Sequence, residues 1–215
     1  MKLAPDPKGY TEIDESLRRA VGCALANTNF EAALKTLENI ASVEEVCLPV
    51  LPYEEITRTI LFGEMASAFE DLIESGQIAG LTAPEDRFTP YARVAVLAKD
   101  YIRAIRLRGI VVAEIDRAMR GFDALLGPSR PFSSTKLDEE FPSAIRGVGT
   151  DIMGAIGNAA GLPAISVPDG FTEHGVPTGI QFMGRPYDEN GIIAAASAYQ
   201  TLTDWHLRHP PGTLA

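Results

Sequence analysis

Two cysteines, one tryptophan and three histidines are all that this 215-residue chain holds of those residue types. Cys23 and Cys47 form no Cys-x-x-Cys pair and have no histidine at ligand spacing, which argues against a zinc site. In apolar surroundings they read as buried free thiols rather than a disulfide. His174, His206 and His209 share no metal-binding spacing with a third ligand, so solvated positions are expected for them. The expectation is therefore of no metal and no cofactor. Positive charge is also scarce. Nineteen Lys and Arg face 29 Asp and Glu, a formal net charge of −10, which speaks against a nucleic-acid partner. No apolar run approaches the roughly 18 residues of a membrane span, and Met1 to Pro7 hold no apolar signal core. Neither a membrane role nor export is expected, and the cytoplasm is the natural compartment. Internal repeats and low-complexity tracts are absent as well.

What is present suits a folded core: 46% of residues are hydrophobic and 22% charged, within the length of one domain. Thr11-Glu12-Ile13-Asp14 has the form of a capping box, and Ile13, Leu17, Val21, Ala24 and Leu25 follow at helical spacing. A second apolar run follows through Phe30, Leu34, Leu37 and Ile40. Residues 43–48 form a short strand candidate closed by prolines. Tyr53 to Glu74 predicts one long helix with Gly76 just past its end. Another is expected over 92–120, bent near Gly109, with Arg103, Arg106 and Arg108 on a solvated face. Phe122 to Leu126 reads as a strand, 129–142 as irregular, and 143–160 as a Gly-interrupted helix. Strands at 164–167 and 179–183 and a helix at 189–205 complete the pattern. Such alternation predicts an α/β fold, a mixed β-sheet core flanked by helices. Ile165, Val167, Ile180 and Phe182 suit a central sheet covered on both faces, with Gly161 and Gly179 allowing close packing at the strand entries.

The run Asn158-Ala159-Ala160-Gly161-Leu162-Pro163-Ala164-Ile165-Ser166-Val167-Pro168-Asp169-Gly170 is the most informative part of the chain. Together with Gly175-Val176-Pro177-Thr178-Gly179-Ile180-Gln181-Phe182-Met183-Gly184-Arg185-Pro186, it resembles the C-terminal signature of the amidase signature family. Phe122 to Pro131 and the helix through Asp100, Arg106 and Arg108 resemble the family's preceding strand and long helix. The resemblance implies a C-terminal portion of an amidase signature fold, one partial domain over residues 1–215, with the half that bears the catalytic loop absent. It also implies hydrolysis of carboxylic amides through an acyl-serine, performed by a Ser, a cis-Ser and a Lys around a Gly-rich loop.

None of those three residues has a counterpart here. No two glycines are adjacent anywhere in the chain, and the only Ser-Ser pair is Ser133-Ser134. No catalytic residue is therefore assigned, and the chain alone is expected to be inactive. The resemblance implies one substrate-binding residue, Asp151, seven positions before Asn158, where related amidotransferases hold an Asp that contacts the substrate amino group. A capping or surface carboxylate is the structural alternative for Asp151. The arginine those proteins place before the long helix has no match in residues 81–85. Asn158 is expected to tie the turn into the following strand. Ser133-Ser134-Thr135-Lys136 also spells Ser-x-x-Lys, but lacks the companion motifs of that hydrolase class. A binding or assembly subunit without catalysis is the alternative reading, and a Ser-x-x-Lys acyl hydrolase the remote one. A small-molecule amide is the expected substrate only if a catalytic half complements the chain. The expected partners are a second copy or a separate N-terminal chain.

Overall fold

The computed structural model describes residues 2–5, 23–46, 48–83, 87, 90–91, 95–131, 133–138 and 151–208. The capping box at Thr11 and the apolar run from Ile13 to Val21 lie outside these residues, as do Cys47 and His209. Five strands form one mixed sheet in the order β2-β1-β3-β5-β4. These are β1 Lys2–Pro5, β2 Ser42–Val43, β3 Ala124–Pro128, β4 Ala164–Phe171 and β5 Pro177–Met183. β1 runs parallel to both β2 and β3, whereas β5 is antiparallel to β3 and to β4. Helices cover both faces: α1 Cys23–Leu37, α2 Tyr53–Ala68, α3 Glu70–Glu74, α4 Ala98–Ala118, α5 Ile152–Ala160 and α6 Glu189–Thr201. The expected α/β fold with a mixed sheet is the observed one.

Two cores lie on the two faces of the sheet, and β3 feeds both. Leu125 packs with Ile56, Val111, Ile115, Met153 and Ile156 from α2, α4 and α5. Its neighbour Leu126 packs with Phe30, Leu37, Phe182, Ile192 and Tyr199 among others, on the α1 and α6 side. Consecutive strand residues point to opposite faces, so this single dipeptide anchors both layers. All five residues of β3 are buried. Its last residue is Pro128, which no strand could pair on both sides. The geometry permits it because β1 reaches only as far as Leu126.

Several boundaries differ from the sequence expectation. β1 has no alternating apolar pattern to announce it; its place comes from pairing with β2 and β3. Helix α1 runs unbroken through residues 26–30. The strand expected over 43–48 shrinks to Ser42–Val43. The helix expected from Tyr53 to Glu74 breaks at Phe69, whose φ of −114° and ψ of 23° leave the helical region. Ile73 is buried after that break while Phe69 stays exposed. Gly76 does take the left-handed conformation expected past a helix end, at φ 74°. Helix α4 continues uninterrupted through Gly109.

The signature strands also differ in one instructive way. Ile165, Val167, Ile180 and Phe182 do not divide between two faces but all point to the α1/α6 core. Their alternates, Ser166 and Pro168 among them, line an open cleft on the opposite face. Gly161 serves its backbone as well as close packing: at φ 72° it ends α5 in the left-handed region, its N–H bonded to Gly157 O, and a Cβ there would meet Arg108 Nη2 at 3.3 Å. Gly179 does permit a close approach, since a Cβ there would sit 2.7 Å from Ser129 Oγ.

Candidate functional site

Asp151 stands at the N-terminus of α5, where the first turn leaves backbone N–H groups without helical partners. Its Oδ1 accepts from Gly154 N at 2.9 Å, and so caps the helix. Its Oδ2 accepts from Arg130 Nη1, also at 2.9 Å. Burial of Met153, Ile156 and Ala159 holds α5 against the sheet and thereby fixes the carboxylate. Asp151 lines a small cleft of about 210 Å3 with Glu54, Thr57, Arg130 and Asn158. Asn158 lies inside α5 and does not tie the turn; Gly161 does that. The capping alternative for Asp151 is thus realised, and the same residue lines a cleft.

Arg130 follows the end of β3 and also lines a second, larger cleft of about 760 Å3. The hydroxyl-bearing residues Ser133, Ser134, Thr135 and Ser166 line it as well. Ser129 Oγ belongs to the same lining, is buried, and has no hydrogen-bond partner among the described residues. Its backbone N–H donates to Gly179 O at 2.7 Å, which seats this segment against β5. Residues 133–136 are coil, so the Ser-x-x-Lys sequence does not open a helix. In that coil the lysine is not brought back over the serine as one helical turn would bring it.

A separate polar group is buried beneath the β4–β5 hairpin. The register slips between Pro168 and Gly170, leaving Asp169 as the extra residue of a bulge. Asp169 is 3% exposed and accepts from Thr178 Oγ1 at 2.6 Å. Asn29 Nδ2 donates to the same Thr178 oxygen at 2.8 Å. Gly170 leaves room for this: a Cβ there would meet Asn29 at 2.7 Å. Asp169 Oδ2 has no partner among the described residues. Burial pushes the Asp169 carboxyl up to about 6, against the smaller opposing effect of the Thr178 bond. Burial, and then the Asp169 charge, raise the Tyr199 phenol above its ordinary value.

Other singled-out residues are placed apart from these clefts. Arg103 and Arg106 are exposed as expected, but Arg108 is not simply solvated: its Nε donates to Ala159 O at 2.9 Å, joining α4 to the end of α5. His174 sits exposed in the hairpin turn, 3.5 Å from Glu173, and His206 is exposed in a 3-10 turn. Among the described residues no group of three His, Cys, Asp or Glu side chains could hold a metal, and no helix is long and apolar enough to cross a membrane.

The Amidase family model matches residues 5–193. The chain belongs to the amidase signature family. Among relatives of this amidase signature chain is the A-subunit of glutamyl-tRNA(Gln) amidotransferase from Cupriavidus necator, 30% identical over 95% of this chain and 44% of that protein. Its counterpart from Myxococcus xanthus is 40% identical over 52% of this chain and 23% of its own length. The chain spans less than half the length of either relative. A crystal structure of a peptide amidase, in complex with chymostatin, superposes with a TM-score of 0.67 at 26% identity, over 98% of this chain and 44% of that one.

Within this amidase signature fold, Asp151 and Asn158 come together with Arg130, and Arg130 links them to the hydroxyl-lined cleft holding Ser133 and Ser134. Sequence reading missed the role of Arg130, although a charged residue soon after a buried strand was a usable signal. It also missed Arg87, whose guanidinium donates to Leu81 O at 2.6 Å and Thr82 O at 3.2 Å and so braces the loop ahead of α4.

Proposed function

We propose that this chain forms the non-nucleophilic wall of an amidase pocket. In this reading a carboxylic amide is cleaved through an acyl-serine whose Ser, cis-Ser and Lys come from residues outside this chain. The observation that carries the reading is the fixed carboxylate of Asp151, held by Gly154 N and Arg130 at the edge of two adjoining clefts. A rigid group of this kind positions a substrate without exchanging protons or bonds with it. Among the described residues no basic side chain is hydrogen-bonded to Ser133, Ser134, Thr135 or Ser166, and the one cleft hydroxyl paired with a carboxylate, Thr178 with Asp169, also accepts from Asn29, which supports a chain that is inactive alone.

Aryl amides and a fluorophosphonate probe test this directly. The chain alone is expected to show no turnover above buffer and no labelled serine. Turnover is expected when it is combined with the N-terminal half of the Cupriavidus necator relative. Labelling of Ser133 or Ser134 that Lys136→Ala abolishes would reverse the reading in favour of a Ser-x-x-Lys hydrolase.

The same reading implies that a second chain covers part of the surface. Ile102, Ile105 and Val112 are exposed along one side of α4, Leu61 is exposed on α2, and Phe69 just beyond its end. Strand β4 ends the described sheet, and its outer edge is unpaired among the described residues. Exposed apolar stripes and free strand edges favour association. In sedimentation at micromolar concentration the chain is expected to run as an oligomer, or to bind an apolar dye as a monomer. A dye-negative monomer would count against a separate covering chain. A purely structural role is the second reading, favoured by the capping function that Asp151 already fills.

A further inference from the structure

The cleft beside Arg130 carries one kind of charge. Among its described lining residues Arg130 alone is charged, and the others are hydroxyl-bearing, apolar or glycine. The Arg130 side chain is 66% exposed, although it pairs with Asp151. A guanidinium has five N–H donors in a planar fork, and the bond from Nη1 to Asp151 uses one of them. Asp151 is the more constrained partner, because one of its oxygens caps α5 and the other holds Arg130. The pair therefore keeps more free N–H donors on Arg130 than free lone pairs on Asp151, whose roughly four lone-pair sites accept two bonds here.

We propose that this cleft is a binding site for the carboxylate of a small organic molecule, with Arg130 as the residue that selects it. The ligand would accept from the free edge of the guanidinium, and Ser133, Ser134, Thr135 or Ser166 would donate to its remaining lone pairs. Thr178 is not counted, because its hydroxyl is engaged with Asp169 and Asn29. One cation among neutral donors matches a single negative charge, and the planar fork matches carboxylate geometry. This inference rests on the reading of the two clefts as a pocket wall and changes what that wall accepts. The Arg130 guanidinium on Asp151 Oδ2 disfavours a substrate ammonium group there by like charge.

Hexanoate, hexanamide and hexylammonium are suitable probes, titrated into the full chain at constant ionic strength and followed by backbone amide NMR shifts. Hexanoate is expected to shift the resonances of Ser129, Arg130, Ser133, Ser134, Thr135 and Ser166, and the other two probes are not. Arg130→Gln, at a mostly exposed position, should keep the parent spectrum elsewhere and weaken hexanoate binding at least tenfold. Asp151→Asn retains an oxygen to cap Gly154 N while releasing Arg130, so hexanoate should bind as tightly or more tightly. Equal response to hexanoate and hexanamide, or hexanoate binding unchanged in Arg130→Gln, would overturn the proposal. Hexylammonium binding to the parent chain at these residues would overturn it too. The amide turnover test is read separately: turnover without hexanoate binding removes the carboxylate site and leaves the pocket-wall reading, and hexanoate binding without turnover does the reverse.

Discussion

Asp169→Asn is expected to gain about 2–3 kcal/mol of unfolding free energy relative to the parent chain between pH 4 and pH 7, a pH dependence that an acidic-to-neutral change at a surface would not show. The Asp169 carboxyl is raised to about 6 in the fold from an ordinary value of 3.8. Below the unfolded value both states are protonated, and the group costs nothing. As pH rises, the unfolded chain releases the proton first, so stability falls until the folded carboxyl also ionises. Above about 6 the penalty is complete and constant. No cation among the described residues offsets it: the groups placed around the carboxyl are Thr178, Asn29 and the Tyr199 phenol. Asn keeps an acceptor for Thr178 and never ionises. Urea unfolding of both proteins between about pH 4 and 8 measures this. The difference should shift in favour of the variant from the acid end towards neutrality and then level off above about 6. Parallel curves across that range would show that Asp169 is solvated in the folded state.

Truncating either leucine of the β3 pair is expected to cost about 3–4 kcal/mol, because each leaves a cavity in a separate core. Leu125 and Leu126 are both fully buried. Their effects should nevertheless be distinguishable. Trp205, the single tryptophan, packs against the α1/α6 core and makes an edge contact with Phe171 at 6.1 Å. Leu126→Ala should shift native tryptophan emission, while Leu125→Ala should lower stability and leave that emission unchanged. Urea midpoints and emission maxima read both quantities. A cost below about 1 kcal/mol for either would contradict the two-core arrangement.

The long-period signals were the most legible in the sequence. The helix beginning at Tyr53 and the signature strands fall where their spacing indicates, because residues such as Ile56, Val167, Ile180 and Phe182 recur on one face and are buried together. Boundaries were less legible. Nothing in the residues around Phe69 marks a break, and β1 consists of four residues whose conformation depends on partners far along the chain. The candidate site divides in the same way. Asp151 was visible through a motif, but Arg130 became meaningful only once the chain folded it across to a residue 21 positions away.

Family and α/β class can be read from the residues in order, since the first follows from a contiguous motif and the second from the alternation of apolar periods along the chain. Which side of the signature hairpin is core and which is cleft depends on the folded arrangement. So does the inward turn of Asp169 at the bulge, and so does the meeting of the Asp151 carboxylate with a guanidinium. The physical reason is that period-2 patterning shows that a strand has two faces, while what covers each face is settled by packing between segments distant in the chain.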